Sequence, residues 1–146
     1  MKRTIQITGL LTAVSVLLLA TSTWAGTNCP QPRKTKSAPA NIASLDKTAQ
    51  ANADNGKNLF NKKAKPLACK MCHGVKGDGQ GKLGKALKPN PRNFTCDATM
   101  KKVSAGQMFW VIKNGSPGTG MAAHKKSMKD KEIWDVVKYI RQSWVK

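Results

Sequence analysis

Apolar residues along this chain recur at helical spacing. The clearest stripe lies near the end, where Ile133, Val136, Val137, Ile140 and Trp144 fall on one face and predict a helix from about Asp130 to Trp144. Asp130 and Glu132 near its start and Arg141 near its end suit the helix dipole. Met128 just before it reads as a hydrophobic staple residue. A second stripe of Met108, Val111 and Ile112 predicts a helix over 104–114, with Ser104 as N-cap and Asn114-Gly115 as its stop. A third helix is expected from Asn52 to Lys63, with Gly56, Leu59 and Phe60 on one side and a lysine-rich stretch ending in Pro66 as the break. Lys82 to Leu87 reads as a short helix closed by Pro89 and Pro91. No run alternates as a strand would, so the expected class is all-α with long loops. Gly74, Gly77, Gly79 and Gly81 crowd one loop, which rules out regular structure there and permits close approach to a flat ligand. A phosphate cradle is a poor reading of them, because no strand precedes and no Gly-Lys-Ser/Thr follows.

The first 25 residues follow a different pattern. Lys2 and Arg3 precede an apolar run from Leu10 to Ala20, interrupted by Thr12 and Ser15, and Thr23-Trp24-Ala25 offers the small residues of a cleavage site. Residues 1–25 therefore read as a secretory signal peptide cut after Ala25, with the periplasm as destination. A retained membrane anchor fits less well, since the run is short of the roughly 20 residues a span needs. A lipid on Cys29 fits less well again, because Asn28 is a poor lipobox residue. Residues 26–50 carry Pro30, Pro32 and Pro39 and almost no large apolar side chains. They form an N-terminal extension unable to build a core, wrapped on the domain or mobile. The domain proper is expected over 51–146, with no internal repeat.

Charge narrows the partners. The 146 residues hold 26 basic and 7 acidic ones; removing the first 25 leaves 121, with 24 basic against 7 acidic, a formal +17. In an exported chain this favours acidic redox partner proteins or peripheral contact with an anionic membrane. Nucleic acid is a poor fit, since no aromatic-plus-basic recognition motif is present. Aromatic residues make up only 5% of the chain, so a large apolar ligand would help to complete the core.

Residues 69–73 supply that ligand's identity. They read Cys69-Lys70-Met71-Cys72-His73, the attachment pattern for c-type haem. Two sulfurs one helical turn apart reach the two vinyl groups of one porphyrin edge, and His73 then offers an imidazole to the iron. A redox dithiol would need a βαβ setting, and a four-ligand zinc site two further Cys or His at short spacing. The second iron ligand is drawn from Met71, Met100, Met108, Met121, Met128 and His124. Met71 is excluded by its place inside the motif, and Met108 and Met128 read as core. Met121 sits in the Gly/Pro loop from Ser116 to Met121, free to shape itself to the metal, and His124 is its rival. Cys29 and Cys96 remain, and in an oxidising compartment a disulfide across 67 residues is the ordinary reading. A free thiol, a sulfur ligand or a link to a partner are its alternatives. Neither cysteine has the context for a second haem. The scattered acidic residues form no acid–base pair and no nucleophile triad is present, so an enzyme is not expected.

With these motifs the chain resembles the class I c-type cytochromes, in particular small single-haem bacterial ones. The resemblance covers roughly residues 52–146. It rests on Cys69-Lys70-Met71-Cys72-His73-Gly74, on Gly118-Thr119-Gly120-Met121, and on Ile133-Trp134-Asp135-Val136-Val137-Lys138-Tyr139-Ile140-Arg141. It implies three to five helices wrapped around one covalently attached haem, with the N- and C-terminal helices crossing where Gly56, Phe60 and Tyr139 meet. It also implies that a carbonyl receives the imidazole N–H. Relatives often use a proline soon after the histidine, but the next prolines here are Pro89 and Pro91, so another carbonyl is expected. The leading functional expectation is a soluble carrier of single electrons, monomeric, with Lys62, Lys63, Lys65 and Lys70 and then Lys125, Lys126, Lys129 and Lys131 as its docking surface. Two alternatives stand beside it. One is a haem subunit of a larger redox complex. The other is a haem enzyme or ligand binder with an open sixth site.

Overall fold

The computed structural model describes residues 29–32 and 35–146, so the signal-peptide reading of residues 1–25 lies outside the described residues. Among these the chain is helical, with no strand. In chain order the helices are α1 (Ala40–Ala43), α2 (Ala53–Asn58), α3 (Lys70–His73), α4 (Asp97–Met100), α5 (Ala105–Asn114) and α6 (Asp130–Trp144). A π-helical stretch, Leu59–Lys63, prolongs α2, and 3₁₀ turns occupy Thr48–Gln50 and Gly84–Ala86. Six helices are present among the described residues, of which α1, α3 and α4 are four-residue turns, too short to show a hydrophobic period.

Ser104 forms the N-cap that the sequence predicts, and Asn52 caps α2 in the same way. Asn52 accepts from the Asn55 N–H at 3.0 Å and Ser104 from the Gln107 N–H at 3.1 Å, each satisfying a donor at a helix start. Glu132 accepts from the Lys129 N–H at 2.8 Å and closes the first turn of α6. The buried face of α5 is Ala105, Met108, Phe109 and Ile112. Val111, expected on that face, is half-buried, and Phe109 takes the inner position by stacking on Trp134 at 4.5 Å.

α2 crosses α6 at Gly56. A Cβ there would collide with the Asp135 carbonyl and stand 3.0 Å from Tyr139 Cβ, so only glycine permits this approach. Phe60, fully buried, meets Tyr139 edge-on at 5.5 Å and Trp144 at 5.2 Å. Leu59, Ile112, Ile133, Val136, Val137 and Ile140 complete the core around it.

Asp135 is a polar member of this interface, buried with its partners. Its Oδ1 accepts from the Asn52 N–H at 2.7 Å and its Oδ2 from the Asn55 amide at 2.8 Å, with Lys131 Nζ at 3.4 Å. Burial pushes the carboxyl upward, but these donors together outweigh it and hold the group below the usual carboxylate range. A depressed carboxyl contributes stability above its unfolded value of about 3.9, and that stability is lost as pH falls through the folded value. Asp135→Asn is therefore expected to cost about 1–3 kcal/mol near neutral pH and to flatten the acid limb of the stability profile. Urea unfolding across pH 2–7 checks both.

The described part of the extension lies on the domain. Gln107 accepts from the Ala38 N–H at 2.7 Å and donates to the Lys36 carbonyl at 3.0 Å, while Ser104 Oγ donates to the Ala43 carbonyl at 2.7 Å. Ala38 is buried, and Ile42 of α1 packs against the core.

Candidate haem site

Helix α3 carries the attachment motif in one turn. The His73 N–H donates to the Cys69 carbonyl at 2.9 Å, which sets the two cysteines one turn apart with the histidine following. The four cysteines divide cleanly. Cys29 and Cys96 form a disulfide with Cα atoms 5.6 Å apart, and Cys69 and Cys72 are free thiols. Burial pushes the Cys69 thiol up to about 11 and raises Cys72 as well. A reactive redox dithiol needs a lowered thiolate pKa, so this pair is a poor fit to that alternative. No group of three or more His, Cys, Asp or Glu among the described residues could hold a metal ion, which leaves the zinc alternative without support.

His73 is oriented by its other nitrogen. Nδ1 lies 3.0 Å from the Arg92 carbonyl. A carbonyl only accepts, so Nδ1 carries the proton and Nε2 keeps the lone pair a metal needs. Burial pushes the imidazole down to about 4, so the ring is neutral at physiological pH. Phe94 stacks on it at 4.6 Å, and the Phe94 N–H donates to the Gly77 carbonyl at 2.7 Å. The carbonyl that receives the imidazole N–H thus belongs to Arg92, directly after Pro91.

The glycine loop closes on the chain itself. The N–H groups of Gly79, Gly81 and Leu83 donate to the carbonyls of His73, Cys72 and Met71 at 2.9, 3.1 and 2.8 Å. A Cβ on Gly81 would run into the Met71 and Lys70 carbonyls. The close approach is to the chain's own attachment turn, which the loop clamps.

Met121 is half-buried and packs on the core that Cys69 also touches. Its N–H donates to Thr119 Oγ1 at 3.0 Å, and its carbonyl accepts from the Ser116 N–H at 3.0 Å. Met100, Met108 and Met128 are buried within the core itself. His124 is buried and doubly tied, its backbone N–H to the Ile112 carbonyl at 3.1 Å and its Nδ1 to the Lys65 carbonyl at 2.8 Å. Arg92, Phe94 and Gln31, whose contacts with the Arg92 segment are described below, were not singled out from sequence. A backbone acceptor has no side-chain signature, and only stacking geometry identifies Phe94.

Two free thiols on one turn and a neutral imidazole with its lone pair on Nε2 fit covalently attached haem c. Comparison with known proteins agrees. The cytochrome c family model matches residues 53–144. A thiosulfate dehydrogenase of Psychrobacter arcticus is 34% identical over 100 residues, covering 65% of this chain and 27% of its own length. A solved chain of a reducing HAO-like protein complex from Kuenenia stuttgartiensis superposes with a TM-score of 0.55 at 26% identity, over 63% of this chain and 43% of its own. This chain therefore spans about a quarter of that dehydrogenase and less than half of that structural relative. The chain belongs to the cytochrome c family, with the covalently attached haem c that the family implies.

Proposed function

We propose that this protein is an exported, single-haem cytochrome that passes one electron at a time between redox partners in the periplasm, after removal of residues 1–25. Cys69 and Cys72 bear the haem, and His73 and Met121 bind its iron. Haem c supplies the one-electron couple. The chain supplies fixed ligands, a dry core and a surface for partners. The observation that carries the reading is the oriented, neutral His73 on the same single turn as two free thiols. Met121 is preferred to His124 because it follows Gly118 and Gly120 in a loop free to shape itself to the metal and packs, half-buried, on the core that Cys69 also touches. A His/Met pair favours the ferrous state more than two imidazoles do.

The basic surface supports docking to an acidic partner. His124 and Ser127 both donate to the Lys65 carbonyl, each at 2.8 Å, so the lysines of 62–65 lie beside those of 125–129. Lys62, Lys63, Lys65, Lys125, Lys126 and Lys129 are all exposed. Reversing Lys62, Lys65 and Lys126 to Glu is expected to slow association with an acidic redox protein about tenfold or more at low salt and to flatten its salt dependence. Stopped-flow electron transfer across a salt series checks this.

A second reading has a specific observation behind it. Both reported relatives are longer than the matched segment, one a dehydrogenase and one from a protein complex, which favours a haem-bearing module working within a larger oxidoreductase. Mass spectrometry, a ferric spectrum and a redox titration of the exported protein test the main reading. One haem mass, the weak long-wavelength band of a thioether–iron bond and a one-electron titration are expected. Absence of haem mass overturns it, and co-elution with other subunits on size exclusion favours the second reading.

A further inference from the structure

The N-terminal strap, residues 29–32 together with Thr35, reaches the segment that orients His73. Gln31 Nε2 donates to the Pro91 carbonyl at 2.9 Å, and Gln31 Oε1 accepts from the Asn93 N–H at 3.0 Å and from Arg92 Nη1 at 3.2 Å. Arg92 Nη2 also donates to Thr35 Oγ1 at 3.2 Å. The Cys29–Cys96 disulfide holds the strap two residues before Gln31 and closes on the same 91–96 segment. Between these contacts lies the Arg92 carbonyl, which accepts from His73 Nδ1 at 3.0 Å. Gln31 thus grips the residue on either side of Arg92, and Arg92's own guanidinium as well, leaving that peptide little freedom to turn.

We propose that Gln31, secured by the Cys29–Cys96 disulfide, is a positioning residue for the proximal histidine and thereby sets the haem potential. The inference rests on His73 being an iron ligand. The physical chain is short. A well-aligned Nδ1–H···O=C bond makes the imidazole a stronger donor, which favours the higher oxidation state of a bound metal. Releasing the strap lets the Arg92 peptide rotate and lengthens that bond. The ligand then donates less, and the ferrous state gains. The polar strap and its cross-link do more than hold the extension down: they adjust the cofactor from outside its own pocket.

The test uses the exported, haem-loaded protein and three variants. Gln31→Ala and the double substitution C29S/C96S are each expected to shift the ferric–ferrous equilibrium toward ferrous by about threefold to tenfold, a rise of roughly 30–59 mV at about 59 mV per tenfold for one electron. Gln31→Glu keeps the acceptor for Arg92 and Asn93 but loses the donation to Pro91, so its potential is expected to fall between. The His73 Nδ1–H proton resonance of the ferrous protein is expected to move and to exchange faster in Gln31→Ala. A role confined to stability predicts something else: lower unfolding midpoints with an unmoved potential and an unmoved ring proton. That result overturns the proposal, as does a fall in potential. If C29S/C96S does not fold, Gln31→Ala alone decides. Failure of the underlying reading is distinguishable, because the unmodified protein would then itself lack the spectrum of a histidine-ligated haem.

Discussion

Met121→Ala is expected to leave haem attached through Cys69 and Cys72 and to lower the midpoint potential by a few tenths of a volt, within the roughly 0.8 V span that axial ligation commands. The sign follows from donor chemistry. A thioether favours the ferrous iron more than water or imidazole does, so its removal stabilises the ferric form. The ferric long-wavelength band is expected to vanish at the same time. His124→Ala provides the contrast. It removes a hydrogen bond to the Lys65 carbonyl and leaves that carbonyl with the Ser127 hydroxyl as donor. Its expected effect is on stability, with little change in potential. If His124→Ala moved the potential by tenths of a volt and Met121→Ala did not, the ligand assignment would be reversed and the protein would be a low-potential bis-histidine carrier.

What could be read from sequence depended on which force acted. α6 runs over Asp130–Trp144 and α5 over Ala105–Asn114, where the apolar stripes and caps place them. The attachment turn was legible because covalent chemistry demands its spacing. α1 and α4 were not, since single turns have no period to display. The extension shows the limit of composition most clearly. Residues 26–50 have few large apolar side chains, and a scarcity of core-forming residues says nothing about hydrogen bonds to the domain. It is polar side chains far along the chain, Gln107 and Ser104, that hold 36–43, and Gln31 that grips 91–93. The pairing of Cys29 with Cys96 is the ordinary reading of the sequence, with a free thiol, a sulfur ligand or a link to a partner as alternatives, and the structure closes it with Cα atoms 5.6 Å apart. The carbonyl on His73 was invisible for the reason that any of 146 residues carries one. Only the path of the loop after Pro91 selects Arg92.

The helix crossing gives an equally sharp expectation, because two effects of one substitution oppose each other. In an unconstrained helix Gly→Ala stabilises by about 1 kcal/mol through propensity. At Gly56 the added methyl would meet the backbone carbonyl of Asp135 and stand 3.0 Å from Tyr139 Cβ. Backbone cannot swing aside as a side-chain tip would, so α2 must lift from α6. Lifting it loosens Phe60 from Tyr139 and Trp144 and stretches the Asn52 and Asn55 bonds to Asp135. Overpacking of this kind costs about 1–3 kcal/mol and sometimes more, and strained buried hydrogen bonds add to it. Gly56→Ala is therefore expected to destabilise by about 3 kcal/mol, lowering the unfolding midpoint by roughly 10–20 °C. Calorimetry of the haem-loaded protein measures this directly. Because haem is held by α3 rather than by the crossing, the substituted protein is expected to keep its haem and its room-temperature spectrum while losing Met121 ligation at a lower temperature on heating. A stabilised Gly56→Ala protein would mean that propensity governs this position and that the two helices do not meet here as tightly as described.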